Sequence, residues 1–333
     1  MIVVTGGAGF IGSNLVATLE ENGISNVVIC DVLGNEDKWR NIGNREIRDF
    51  VAPGNLMTYL DQHADEVEML FHLGAISSTT EQDADSIINN NFILSRELWK
   101  WCAQNDVRFL YASSYSVYGN GDTDIGFRDD DSPEALAKLK PLNAYGWSKN
   151  VFDRRVSRIV HSSDKTDPLP PQWVGLRMFN VYGPNEYHKG EHMSVVSKLH
   201  PQVAAGAAAR LFKSYSPKYE DGGQIRDFIW VQDCVDVMLW FYQNQDKSGL
   251  FNLGTGKGRS FKDMAEAMFK AYDKPSKITY VDMPNSLKSK YQYYTEADVS
   301  KLRAAGYTKE FTSLEDGIKL YVDNYLSKDD QYR

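Results

Sequence analysis

The run Thr5-Gly6-Gly7-Ala8-Gly9-Phe10-Ile11-Gly12 stands directly after the apolar stretch Ile2-Val3-Val4 and before a helical pattern, and that order limits the fold more than any other feature. Strand, glycine turn and helix in succession form a dinucleotide fingerprint. Glycines let the backbone approach a pyrophosphate, and the helix N-terminus then stabilises its charge. Gly6, Gly9, Phe10, Ile11 and Gly12 are therefore candidate cofactor contacts. The same alternation continues: β-rich runs at Ile2 to Thr5, Val27 to Asp31, Met69 to His72, Phe109 to Ser114 and Trp173 to Met178 are separated by helical stretches, among them Ser13 to Glu21, Ser86 to Gln104 and Ala144 to Val160. Such a rhythm predicts an α/β protein, a Rossmann-like doubly wound parallel sheet with helices on both faces.

After Asn180 the rhythm breaks. Residues 190–223 read as helix, loop and short strand, Arg226-Asp-Phe-Ile-Trp-Val returns to a β pattern, and Phe251 to Gly256 reads as strand and turn before an amphipathic helix from Ser260 to Tyr272. A chain of 333 residues exceeds the usual single core, so a second, smaller α/β lobe is expected, discontinuous in sequence. The expected division is 1–180 with 224–253 for the dinucleotide domain, and 181–223 with 254–333 for the substrate lobe. Asn120 to Pro141 and Ser162 to Gln172, rich in polar residues and proline, read as surface excursions.

A net charge of -8 disfavours extended contacts with nucleic acid or anionic membrane, and leaves small anionic substrates open. Cys30, Cys102 and Cys234 are far apart, with no metal-binding spacing, and read as reduced core thiols; no metal is expected. The glycines follow the first strand at once, unlike a signal peptide, and no apolar run approaches about 18 residues. The expected location is the cytoplasm.

Asp31 ends the second strand 19 residues after Gly12, where a carboxylate can bind the adenosine ribose and, with Val32 beside it, favours NAD. Lys38, Arg40, Arg45 and Arg48 follow, and a cation cluster can hold the 2′-phosphate of NADP. On these residues alone the two cofactors are balanced. In His72-Leu-Gly-Ala-Ile-Ser-Ser-Thr-Thr-Glu81 the small residues let a cofactor lie near the sheet edge, giving Leu73, Gly74, Ala75 and Ser77 as candidates. On the next helix Asn90, preferred over Asn91, is expected to bond the cofactor or the backbone near the site.

Tyr145-Gly-Trp-Ser-Lys149 carries the chemistry. Residues four apart share a helix face, so the Lys149 ammonium can lower the pKa of the Tyr145 phenol and also hold the nicotinamide ribose. A phenol so tuned exchanges protons near neutral pH. Ser114, at a strand end where open α/β sheets place ligands, can orient the reacting oxygen. Together with the fingerprint these residues predict hydride chemistry on an alcohol or ketone.

The chain resembles the extended short-chain dehydrogenases/reductases of the nucleotide-sugar epimerase type, in which the spacing Gly6, Gly9, Gly12 is common. Related sugar 4,6-dehydratases carry Asp-Glu after the hydroxyl residue, whereas Tyr115 and Ser116 stand here, so dehydration is disfavoured. Over essentially its whole length the chain is similar to the ADP-glycero-manno-heptose 6-epimerases. The motifs are the His72 to Glu81 segment, Asn180-Val-Tyr-Gly-Pro-Asn-Glu-Tyr-His-Lys189-Gly190, Arg226-Asp-Phe, Tyr291-Gln-Tyr-Tyr-Thr295 and Leu302-Arg-Ala-Ala-Gly-Tyr307. That resemblance implies an isomerase holding NADP, with NAD as the second choice, Lys38 as a phosphate contact and Val181 beside the cofactor. It further implies Lys189 as a second acid/base, Asn180, Arg226 and Tyr291 at the substrate, and a homo-oligomer of pentameric form. The activity implied is interconversion of ADP-D-glycero-β-D-manno-heptose and ADP-L-glycero-β-D-manno-heptose at C6, in supply of the lipopolysaccharide inner core.

Two bases suit epimerisation, because hydride leaves one face of C6 and returns to the other and the alcohol oxygen occupies two positions. The chain departs from the family at Glu191 and Lys198, where Ser and His are common, and lacks a basic residue near Val51 to Pro53, for which Arg45 or Arg48 is the expected substitute. The acidic stretch Asn120 to Leu142 matches no motif. A UDP-hexose 4-epimerase or sugar reductase would share the Tyr/Lys pair but turn over uridine sugars or consume cofactor. A non-catalytic dinucleotide sensor would commonly lack the pair.

Overall fold

The computed structural model describes residues 1–164, 167–288 and 291–333, apart from the side chains of 286 and 287. Ile2–Thr5 (β1), Val27–Cys30 (β2), Asp49–Val51 (β3), Met69–His72 (β4), Arg108–Ser114 (β5) and Trp173–Met178 (β6) are strands. Every residue of β1, β2, β4 and β6 is buried, the near-continuous apolar character of parallel strands covered on both faces. With Gly249–Leu253 (β10) they form a seven-stranded, all-parallel sheet in the order β10-β6-β5-β4-β1-β2-β3. Strand order reverses between β1 and β4, the crevice where such sheets bind ligands.

One face of the sheet is covered through Leu98, Trp99, Cys102, Phe152 and Val156, from the Leu94–Gln104 and Ala144–His161 helices. The other carries Leu15, Val16 and Leu19 of the Phe10–Glu21 helix with Val235, Met238 and Phe241 of the Val231–Gln243 helix. The three cysteines are separate, free and buried.

A smaller sheet joins Asn180–Tyr182 (β7), Ile225–Trp230 (β9) and Gly258–Ser260 (β11) in the order β11-β9-β7, and Ala209–Phe212 (β8) pairs with Ile278–Val281 (β12). Their core includes Tyr182, Trp230, Met268 and Tyr321. The segment 224–253, expected in one domain, therefore divides: β9 pairs with β7 in the smaller sheet, while β10 extends the larger one. Likewise Leu302 and Tyr307, expected in the lobe, pack in the core of the large sheet.

The stretch Asn120 to Pro141 is not wholly a surface excursion. Ile125, Asp129, Ala135, Leu136 and Leu139 are buried, and the Asp129 carboxylate accepts from the Asn252 amide of β10 at 2.8 Å. Polar residues and proline suggested solvent, but a partner 123 residues away holds this carboxylate. Within Ser162 to Gln172, residues 165–166 lie outside the described residues, and Gln172 is fully buried. Among the described residues no helix is long and apolar enough to cross a membrane, and no group of three or more His, Cys, Asp or Glu is placed to hold a metal ion.

Candidate active site

Gly6 adopts φ +68°, and a Cβ there would meet the Gly74 amide nitrogen at 2.6 Å. The backbones after β1 and β4 thus touch, which only glycine permits. Gly9 caps the Phe10–Glu21 helix without a side-chain bond, leaving its first N–H groups directed at the crevice. A cradle of this kind fits a dinucleotide pyrophosphate. Phe10 and Gly12 are buried and Ile11 half-buried at the head of the helix; Leu73, Gly74 and Ala75 are half-buried and Ser77 exposed at the end of β4.

Asp31 accepts from the Ala8 amide at 2.9 Å, from the Val32 amide at 2.7 Å and from Lys38 Nζ at 2.6 Å. Lys38 also reaches the Val32 carbonyl oxygen at 2.8 Å, while the Val32 side chain is exposed. One carboxylate and one ammonium therefore stand where the adenosine ribose would lie. The expected substitutes for a third-strand base are elsewhere. Arg45 pairs with Glu20 at the far end of the first helix at 2.6 Å. Arg48 pairs with Glu66 at 2.7 Å, and its amide bonds Val27, at the amino end of the sheet. Both are thus held by carboxylates remote from the ribose side.

Asn91, and not the preferred Asn90, ties the backbone near the site. Asn90 is exposed and bonds the Ser86 carbonyl at 2.9 Å. Asn91 is fully buried, accepts from the Ile76 amide and donates to the Ile76 carbonyl, each at 2.9 Å, and donates to Ser148 Oγ at 3.0 Å. The cause is a π-helical turn over Asn89–Ile93, which shifts the helical phase.

The Ala144–His161 helix starts from Asn143, whose side chain accepts from the Gly146 amide at 2.9 Å. A Cβ on Gly146 would meet the Ser116 carbonyl oxygen at 2.6 Å, so the helix abuts the turn after β5. This approach brings the Tyr145 phenol beside Ser114, whose side chain lowers its pKa. Burial pushes Tyr145 up to about 12, against the lowering by Ser114. It pulls the 4%-exposed Lys149 down to about 8, against the raising by Asp153. The expected lowering of the phenol by Lys149 is not among the effects on Tyr145, where desolvation is the largest.

Several of the remaining candidates pair among themselves. Asn180 Nδ2 donates to the Tyr115 hydroxyl at 3.3 Å, Tyr115 stacks on Phe179, and Arg226 lies 5.2 Å from the Tyr291 ring centroid. Tyr115 raises both Tyr145 and Tyr291, so it lies near each; the sequence marked it only as the absence of a carboxyl group. Lys189 lies over the Phe10 ring, 5.2 Å from its centroid, and burial lowers its pKa while the Glu186 carboxylate opposes that. Val181, in β7, is half-buried. Glu191 and Lys198 engage each other at 3.4 Å.

Known proteins resemble this chain over most or all of its length. The model of the NAD dependent epimerase/dehydratase family matches residues 2–254. A Fusobacterium nucleatum protein described as an ADP-L-glycero-D-manno-heptose-6-epimerase is 47% identical over 100% of both chains, and a Brachyspira hyodysenteriae protein of the same description is 41% identical over 97% of both. The crystal structure of the Helicobacter pylori ADP-L-glycero-D-manno-heptose-6-epimerase is similar with TM-score 0.75 and 28% identity, covering 97% of this chain and 95% of that one. The fold is shared with the Thermus thermophilus UDP-glucose 4-epimerase solved with NAD, at TM-score 0.76 and 24% identity over 97% of each chain. A parallel sheet carrying the glycine turn, and relatives matched end to end, lead to one statement: this chain belongs to the NAD dependent epimerase/dehydratase family.

Proposed function

We propose that the chain is an isomerase that interconverts ADP-D-glycero-β-D-manno-heptose and ADP-L-glycero-β-D-manno-heptose by oxidation at C6 to a 6-keto intermediate and re-reduction on the opposite face. The observation that carries this reading is the 47% identity, over the whole of both chains, to a relative so described. A bound nicotinamide dinucleotide supplies the hydride acceptor and donor. Tyr145, aligned by Ser114, takes the C6 hydroxyl proton in one configuration and Lys189 serves the other. Lys149 holds the ribose and stabilises tyrosinate. Asn180, Arg226 and Tyr291 position the nucleotide sugar.

NADP is the cofactor of this reading. Lys38, on the Asp31 carboxylate and the Val32 carbonyl, is the cation in place for a 2′-phosphate. The reading extends, on family resemblance, to a homo-oligomer, a pentamer in form. Incubation with the D,D sugar and chromatographic resolution of the epimers tests the activity, and absence of L,D product from dinucleotide-loaded protein overturns it. The nucleotide released on denaturation identifies the cofactor; NAD alone would overturn that part.

A further inference from the structure

Asn41 is fully buried in the Asp37–Ile42 turn, next to Lys38 and Arg40 on the ribose side of the site. Its Nδ2 donates to the Ala8 carbonyl of the glycine turn at 2.8 Å and lies 3.2 Å from His188 Nδ1. The Asn41 backbone carbonyl accepts from Asn185 Nδ2 at 3.4 Å, and Asn185 also donates to Ser13 Oγ at 3.0 Å. Asn14 Nδ2 reaches the Pro184 carbonyl at 3.0 Å. Three buried asparagines thus staple the segment before Lys189 to the glycine turn and its helix.

A second, outer tie repeats the connection. Tyr332 lies under the Arg40 guanidinium, 4.3 Å from ring centroid to Cζ, and meets Tyr187 edge-on at 5.3 Å. Tyr187 donates its hydroxyl to the Gln331 carbonyl at 3.0 Å. Lys189 follows Tyr187 by two residues, and Gly190 immediately breaks the helix with φ +51°.

We propose that Asn41 is a positioning residue that makes the Tyr187–His192 segment move as one body with the dinucleotide seat, so that a seated dinucleotide sets the position of the Lys189 amine. The Asn41 side chain acts through His188 on one side and the Ala8 carbonyl of the glycine turn on the other. Burial, together with the nearby Lys38 and Lys189 charges, pulls His188 down to about 4, so its neutral ring can accept from Asn41. Lys189 is thereby poised only when the cofactor is present, which keeps a reactive amine from meeting the sugar in an enzyme unable to oxidise it.

The part concerning Lys189 as a base rests on the proposed function, and the experiment separates the two. Hydrogen–deuterium exchange of the wild-type chain with and without NADP reads the coupling with no sugar present. Exchange over 185–192 is expected to slow on NADP binding, and to slow much less in Asn41→Ala. Equal exchange with and without NADP, or an Asn41→Ala response equal to wild type with NADP still bound, overturns the proposal. Where Asn41→Ala does not fold, Tyr332→Ala decides by the same readout: a loosened segment supports the coupling and an unchanged one overturns it.

With sugar, overall rates in the two directions are tied by the equilibrium constant, so the informative measurement is single-turnover formation of reduced nicotinamide from each epimer. In Asn41→Ala this burst is expected to fall roughly 10- to 100-fold for one epimer, the effect of a misplaced catalytic group. The other epimer should be changed little. Equal losses for both overturn the positioning role. A wild-type enzyme that oxidises neither epimer overturns the proposed function and leaves the exchange result standing.

Discussion

At the scale of single residues, the phenol of Tyr145 and the imidazole of His72 are governed by the same desolvation with different consequences. Burial holds Tyr145 at about 12, so on the proposed reading the tyrosinate would need the positive charge of Lys149 and a bound oxidised nicotinamide. Tyr145→Phe keeps the ring and removes the proton. Turnover is expected to drop roughly 10²–10⁴-fold while the dinucleotide is retained, measured by product formation and by nucleotide released on denaturation. Loss of bound dinucleotide would instead make Tyr145 structural. His72 lies between Thr5 Oγ1 at 2.7 Å and Ser95 Oγ at 2.8 Å, and burial, with the Lys149 charge, pulls it from 6.5 to about 3. Between those values the unfolded chain binds a proton that the folded one refuses, so stability falls as pH falls from 6.5 toward 3. His188 and His200, also lowered by burial, act in the same sense. Urea midpoints should therefore decline from about pH 7 to about pH 5, less steeply in His72→Gln; equal slopes would mean His72 does not contribute.

Elements place what residues then use. The catalytic helix enters the site because Gly146 lets it touch the Ser116 carbonyl. Gly146→Ala should push the helix start away and draw Tyr145 off Ser114, lowering kcat about tenfold or more with little change in dinucleotide binding. Steady-state kinetics beside a binding titration checks this. Glycine turn, strands and catalytic helix were legible in the sequence because each is a local pattern of period and turn chemistry. Asn90 and Asn91 were not separable, since one π-helical turn at Asn89–Ile93 decides which neighbour faces inward. Nor could Arg48 be excluded as a phosphate ligand until β3 showed it at the amino end of the sheet, beside Glu66. Asn41 carries no motif at all; its significance lies in His188, 147 residues distant.

Across the whole molecule, one buried network joins the Ala144–His161 helix, three strands of the large sheet and the acidic insert. Arg177 of β6 is inaccessible to solvent and donates through Nε to Asp153 at 3.0 Å and through Nη1 to the Tyr118 hydroxyl at 2.9 Å. Tyr118 donates to Asn252 Oδ1 at 2.6 Å, and Asn252 Nδ2 donates to the Phe127 carbonyl at 2.6 Å and the Asp298 carbonyl at 3.0 Å. Asp153 also accepts from Tyr111 at 3.1 Å and from Ser113 at 2.9 Å. It sits one helical turn beyond Lys149 on the helix that carries Tyr145. Removing one partner of a buried pair leaves the other charge without compensation, which costs about 3–5 kcal/mol, a large part of the roughly 5–15 kcal/mol that holds a domain together. Replacing both by apolar or neutral groups is far cheaper. Arg177→Met is therefore expected to destabilise strongly in urea unfolding, and adding Asp153→Asn should recover much of the loss, a positive coupling in the double-mutant cycle. If the two losses simply added, the pair would be incidental to the fold. Recovery of stability without recovery of turnover would show that the charge beneath Lys149 also serves the helix bearing the phenol.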